Sequence, residues 1–99
     1  MKKIRELYPN YDRARSFYGK AFIHEDDKTI TLQSYQTNVI RYDKKAKQIT
    51  RLWSEYSVTT MRHVNEFMRS LETTFGGKNW WDNLPVGEAV TICPIGGKA

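Results

Sequence analysis

Between positions 29 and 35 polar and apolar residues alternate: Thr29, Thr31 and Gln33 are interleaved with Ile30 and Leu32. A period of two predicts a strand with one face buried, because successive side chains on a strand point to opposite sides. Three further stretches read as strands: 17–25, 38–42 and 48–53. Asp26-Asp27-Lys28, Gln36-Thr37 and the run from Asp43 to Lys47 separate them. Connections this short join antiparallel neighbours, since a parallel pair needs a long crossover. The pattern changes after Tyr56. Met61, Val64, Met68, Leu71 and Phe75 recur at intervals of three and four, which places them on one stripe of a helix over 57–75. Ser57 or Thr59 supplies a start signal, and Gly76-Gly77 a left-handed stop. Arg62, Asn65, Glu66, Arg69 and Glu72 fall on the remaining helix surface.

The ends of the chain are less patterned. Pro9 and Asn10 interrupt residues 1–15, which read as an irregular arm with at most one helical turn at 11–15. Asn79 caps a turn of helix that Pro85 closes, residues 88–93 read as a strand, and 96–99 as a frayed tail. The predicted fold is α+β: an antiparallel sheet of about four to five strands with the 57–75 helix across one face. The predicted organisation is a single domain, 1–99, made of the arm, a sheet-plus-helix body over 16–76 and a C-terminal extension over 77–99.

Composition narrows the function classes. Ninety-nine residues suit one domain, and three Trp, six Tyr and four Phe supply the area a small core needs. One cysteine, Cys93, excludes an internal disulfide and a cysteine zinc site, and it reads as a small buried hydrophobe. No signal-like run and no stretch near the roughly 18 apolar residues of a membrane span is present, so the expected location is the cytoplasm.

Candidate chemistry is sparse. His24 beside Glu25, Asp26 and Asp27 reads as a solvated hairpin turn rather than a metal site, and no cofactor is expected. His63 and Glu66 share a helical face, and His63 is expected to make a structural hydrogen bond. Gly76-Gly77-Lys78 follows a helix, whereas a phosphate loop precedes one. The net charge of +5 gathers in 1–20 and 41–51. Basic side chains there, interleaved with Tyr18, Tyr35, Tyr42 and Tyr56, suit a surface that attracts polyanions or partner proteins. The expected partner-binding residues are Lys20, Arg41, Lys44, Lys45, Lys47, Arg51, Arg62 and Trp81. Trp81 enters because two adjacent tryptophans, Trp80 and Trp81, do not easily share one small core.

Three strings add a resemblance: residues 16–21 (Ser-Phe-Tyr-Gly-Lys-Ala), 32–39 (Leu-Gln-Ser-Tyr-Gln-Thr-Asn-Val) and 56–67 (Tyr56 to Phe67). Together they resemble a family of short proteins from phages, plasmids and other mobile elements of Gram-positive bacteria. The resemblance covers 16–71. It implies a non-enzymatic interaction protein of the anti-CRISPR kind, binding a host effector such as the RNA-guided nuclease of type II systems. A basic inhibitor would meet acidic protein surface, guide RNA or target DNA rather than the positively charged channel of such a nuclease. The alternative is a small basic nucleic-acid-binding accessory protein, and a third reading is a small enzyme using His63.

Overall fold

The computed structural model describes residues 3–9, 17, 19–71, 73 and 76–92. Six antiparallel strands form one sheet: β1 (Lys3–Glu6), β2 (Ala21–Glu25), β3 (Thr29–Ser34), β4 (Thr37–Asp43), β5 (Gln48–Arg51) and β6 (Ala89–Thr91). Two helices, α1 (Val58–Ser70) and α2 (Lys78–Asn83), lie between β5 and β6. Strand order in the sheet equals chain order.

The α+β class and the antiparallel meander agree with the sequence reading, but the sheet has six strands rather than four to five. The addition to the expected strands is the edge strand β1, while β6 falls within the stretch 88–93 that reads as a strand. The N-terminal arm is not irregular at its start, because Lys3–Glu6 pair with Glu25–Phe22. The strand expected in the C-terminal segment joins the same sheet: β6 pairs with β5 from Gln48 to Thr50, and Trp81, Leu84 and Ile92 are buried in the common core. The expected helical turn at 11–15, Cys93 and the tail at 96–99 lie outside the described residues.

Alternation decides which face is buried. Ala21 and Ile23 of β2, Leu32 and Ser34 of β3, Ile40 of β4, and Ile49 and Arg51 of β5 all point to one side and are buried. A bulge between Leu32 and Gln33 lets β4 turn Val39 inward beside Ile40. The freed Val39 carbonyl then accepts the Leu52 and Trp53 amides. A bulge of this kind bends the strand and re-aims a side chain.

Helix α1 covers this face with Met61, Val64, Phe67 and Met68, joined by the polar Thr60, His63 and Glu66. Its buried band is therefore wider than the predicted stripe, and Glu66 belongs to it rather than to the surface. Ser57 is the N-cap, its hydroxyl accepting the Thr60 amide at 3.0 Å. The helix stops at Leu71, well before Phe75, which lies outside the described residues. The glycine pair belongs to the next element: Gly77, not Asn79, is the N-cap of α2, and its amide donates to Asn65 Oδ1 at 2.9 Å. Gly76 lies so close to α1 that a Cβ there would sit 2.6 Å from the same oxygen.

Candidate interaction surfaces

One face of the sheet is occupied by the core, and no described helix or strand covers the other, here called the open face. In register across the open face run Ile4, His24, Thr31, Arg41, Thr50 and Ala89. A second row places Glu6, Phe22, Gln33 and Asn38 together. Its centre is a depression of about 360 Å³ lined by His24, Thr29, Thr31, Gln33, Gln36 and Asn38, with Glu25 and Asp26 completing the wall. The Gln33 amide nitrogen donates to the Tyr35 carbonyl at 2.7 Å, which turns Oε1 toward His24. His24 Nε2 lies 2.6 Å from that oxygen and is thus the protonated ring nitrogen. Among the described residues no lysine or arginine lines the depression, and two carboxylates do.

The turns at one end of the sheet absorb much of the basic charge. Lys44 Nζ contacts Glu25 Oε2 at 2.6 Å and the Asp26 carbonyl at 2.8 Å, while Arg5 Nη1 reaches Glu25 Oε1 at 2.7 Å. These two cations hold the Glu25 carboxyl below its ordinary pKa, Lys44 contributing most. The Asp26 carboxyl is lowered by the backbone amides of Lys28 and Thr29, which close the β2–β3 turn on it. Asp43 Oδ1 accepts the Lys45 and Ala46 amides and shapes the β4–β5 turn in the same way. Of the three expected lysines there, Lys45 and Lys47 remain exposed and Lys44 is half-buried.

The expected partner-binding residues do not come together. Lys20 stands at the opposite end of the sheet from Lys44, Lys45 and Lys47. Arg41 projects from the open face, and Arg62 from the outer side of α1. Arg51 and Trp81 are not surface residues: they are 5% and 1% exposed. The Arg51 guanidinium donates to the carbonyls of Trp53 (2.7 Å), Trp81 (2.6 Å), Ser54 (3.0 Å), Glu55 (3.3 Å) and Leu84 (3.3 Å). Its pKa is lowered by burial and lifted partway back by Asp82. Trp81 Nε1 donates to the Glu55 carbonyl at 2.9 Å, and Trp80 is half-buried beside it.

His63 makes the structural hydrogen bond expected of it. Ser34 Oγ lies 2.7 Å from His63 Nδ1 and 3.0 Å from Thr60 Oγ1. All three residues are buried, and the Phe17 ring meets the imidazole edge-on at 4.6 Å between centroids. The contact resembles a nucleophile–base pair in composition, but it is sealed beneath α1.

Sequence reasoning named Lys20, Tyr35 and Tyr56 but did not foresee that they share one end of the sheet with Tyr8. Tyr8, Tyr35 and Tyr56 are 56%, 45% and 37% exposed there. Tyr35 opens the two-residue β3–β4 turn with a φ of +57°. The signal was present: a two-residue hairpin needs a positive φ, and here no glycine or asparagine supplies it.

No curated protein and no solved structure shows similarity to the chain. Residues 5–83 match the model of a family of unknown function, DUF8033, and the chain belongs to that family.

Proposed function

We propose that the protein is a non-enzymatic interaction protein that works by docking on a macromolecular partner. The observation that carries this reading is the one-sided covering of the sheet. Helices and core occupy one face, while the other presents hydroxyl, carboxamide, imidazole and guanidinium groups in register. The contact closest to catalytic chemistry, Ser34 with His63, is buried out of reach of a substrate.

The partner we propose is a host nucleoprotein, an RNA-guided CRISPR effector encountered in the bacterial cytoplasm. That part rests on the resemblance of residues 16–71 to mobile-element proteins. Contact with the protein component is favoured over contact with nucleic acid, because the cations are dispersed between two sheet ends, one face and one helix. A phosphate track needs several cations aligned. The nucleic-acid alternative draws support from the net charge of +5 and from Lys45 and Lys47, exposed together on the β4–β5 turn.

Capture from host lysate with the tagged full chain, with and without nuclease treatment, separates the two. Retention of a CRISPR effector after nuclease treatment is the expected result. Loss of every partner on nuclease treatment would replace this reading with the nucleic-acid one.

A further inference from the structure

Among the described residues, most of the large apolar side chains that stay outside the core collect at one end of the molecule. By the antiparallel register, β1 and β3 end there, β2 and β4 begin there, and β5 ends there before the chain enters α1. Tyr8 follows β1, Tyr35 follows β3, and Tyr56 and Val58 bracket the Ser57 cap. Val58 is 68% exposed. Two of the rings lie under lysines: Lys20 Nζ is 5.6 Å from the Tyr35 centroid, and Lys78 Nζ is 5.2 Å from that of Tyr56. The opposite end, with the turns at 26–28 and 44–47, presents lysines and aspartates without an exposed ring among the described residues.

The Tyr35 backbone sharpens the point. A positive φ disfavours a residue with a Cβ by roughly 1–2 kcal/mol, so glycine or asparagine is the ordinary occupant of such a turn. Here a large ring is held at the tip of the hairpin, 6.0 Å from the buried His63 ring on one side and open to solvent on the other. Lys20 is the charged side chain that lies over this ring. Lys20 makes no ion pair with a described residue, Glu6 is turned to the Gly19 amide, and the first turn of α1 contains no acidic side chain.

We propose that this end, through Tyr35, Tyr56 and Lys20, docks a protein surface in which an apolar depression is bordered by carboxylates. The inference rests on the reading of the chain as an interaction protein and names the chemistry of its partner. Tyrosine brings large, rigid contact area with few rotatable bonds, and it is enriched where interfaces concentrate their binding energy. Lys20 supplies the complementary charge. Bases also stack on tyrosine, but a nucleic-acid strand needs a run of cations beside the rings. Among the described residues at this end only Lys20 is available, since Lys78 is held by Asp82 at 2.6 Å.

The test is an NMR titration of the isotope-labelled full chain with two probes, a short peptide of alternating glutamate and leucine and an oligothymidylate. The peptide is expected to shift the amides of Lys20, Tyr35 and Val58. Tyr35→Gly is expected to weaken the peptide about tenfold, the effect of removing a central aromatic anchor. The same variant relieves the backbone, so its melting temperature should not fall; Lys20→Glu, at an exposed site, is the second variant and should also weaken binding. Peptide shifts indifferent to both variants, or shifts at this end with oligothymidylate alone, would overturn the inference. In lysate capture, identical partners for wild type and Tyr35→Gly would sink this surface while leaving the interaction reading intact. If wild type captures nothing at all, the interaction reading falls and this inference with it.

Discussion

The guanidinium carbon of Arg51 lies 4.2 Å from the ring centroid of Trp81, and both side chains are buried. This pair ties the last residue of β5 to α2. Both groups donate to the same Glu55 carbonyl, and Arg51 also reaches the Trp81 and Leu84 carbonyls at the C-terminal end of α2, where a cation is electrostatically favoured. Arg51→Ala would take a donor from five carbonyls, of which Glu55 keeps the Trp81 indole N–H and Trp81 keeps the Leu84 amide, and would open a void against the indole. We expect a loss on the order of 3 kcal/mol in a denaturant melt, since buried polar groups left without partners are among the most destabilising changes. Arg51→Lys keeps the charge but offers fewer donors without the planar fork, so it should recover less than half of the loss. Near-wild-type stability for Arg51→Ala would remove the pair from its structural role.

Glu25 makes acid sensitivity predictable in sign. Lys44 and Arg5 hold its folded-state pKa below the ordinary 4.5. The unfolded chain therefore binds a proton more readily than the folded one. The stabilising contribution is fully present above the ordinary value and is lost as pH falls through the depressed one. Glu25 is only partly shielded, so the effect is modest. Glu25→Gln should flatten the acid limb of a stability-against-pH curve and leave neutral-pH function unchanged. An acid limb identical in wild type and variant would refute the assignment.

Ser34 sits in the sealed cluster, so its hydroxyl matters for folding. Ser34→Ala removes the partner of His63 Nδ1 and a partner of Thr60 Oγ1. A cost of about 1–2 kcal/mol is expected for leaving a buried polar group unpaired. The measurement is equilibrium unfolding of Ser34→Ala beside Thr31→Ala, an open-face control expected to change stability by less than about 0.5 kcal/mol.

The β4–β5 turn offers a substitution in the opposite direction. Lys47 is exposed and carries a φ of +54°. Lys47→Gly should hold or raise stability, by up to about 1 kcal/mol, because glycine adopts this conformation without steric cost. Lys45→Glu beside it should be neutral for folding. A clear drop in melting temperature for Lys47→Gly would show that the lysine side chain has a structural role beyond the turn.

The parts legible in the sequence are those where burial alternates with solvent. Thr29 to Ser34 shows its period of two, and Met61, Val64 and Met68 show the helical one. Ser57 also reads correctly as a cap. One edge, β1, was hidden. Lys3, Ile4 and Arg5 are all exposed, so β1 has no apolar face to advertise and exists through pairing with β2 alone. Arg51 was hidden by its type. Two residues after Ile49 it must face the core, and parity outweighed the expectation that a guanidinium seeks water. Trp81 follows from Arg51: once the cation is inside, an indole covers it and a row of carbonyls receives its protons. The candidate surface was only half legible. Lys20 and the tyrosines were visible as residue types, but not the turn geometry that sets Tyr35 outward.

Strand order that repeats chain order has a kinetic consequence. From Ala21 to Arg51 each strand need only find the one just made, so hairpins can zip on one after another with little loop entropy to overcome. The excursion from 52 to 88 is the exception, because β6 must return across both helices to reach β5. Closure of that last seam should be the slow step, and the first to open in hydrogen exchange.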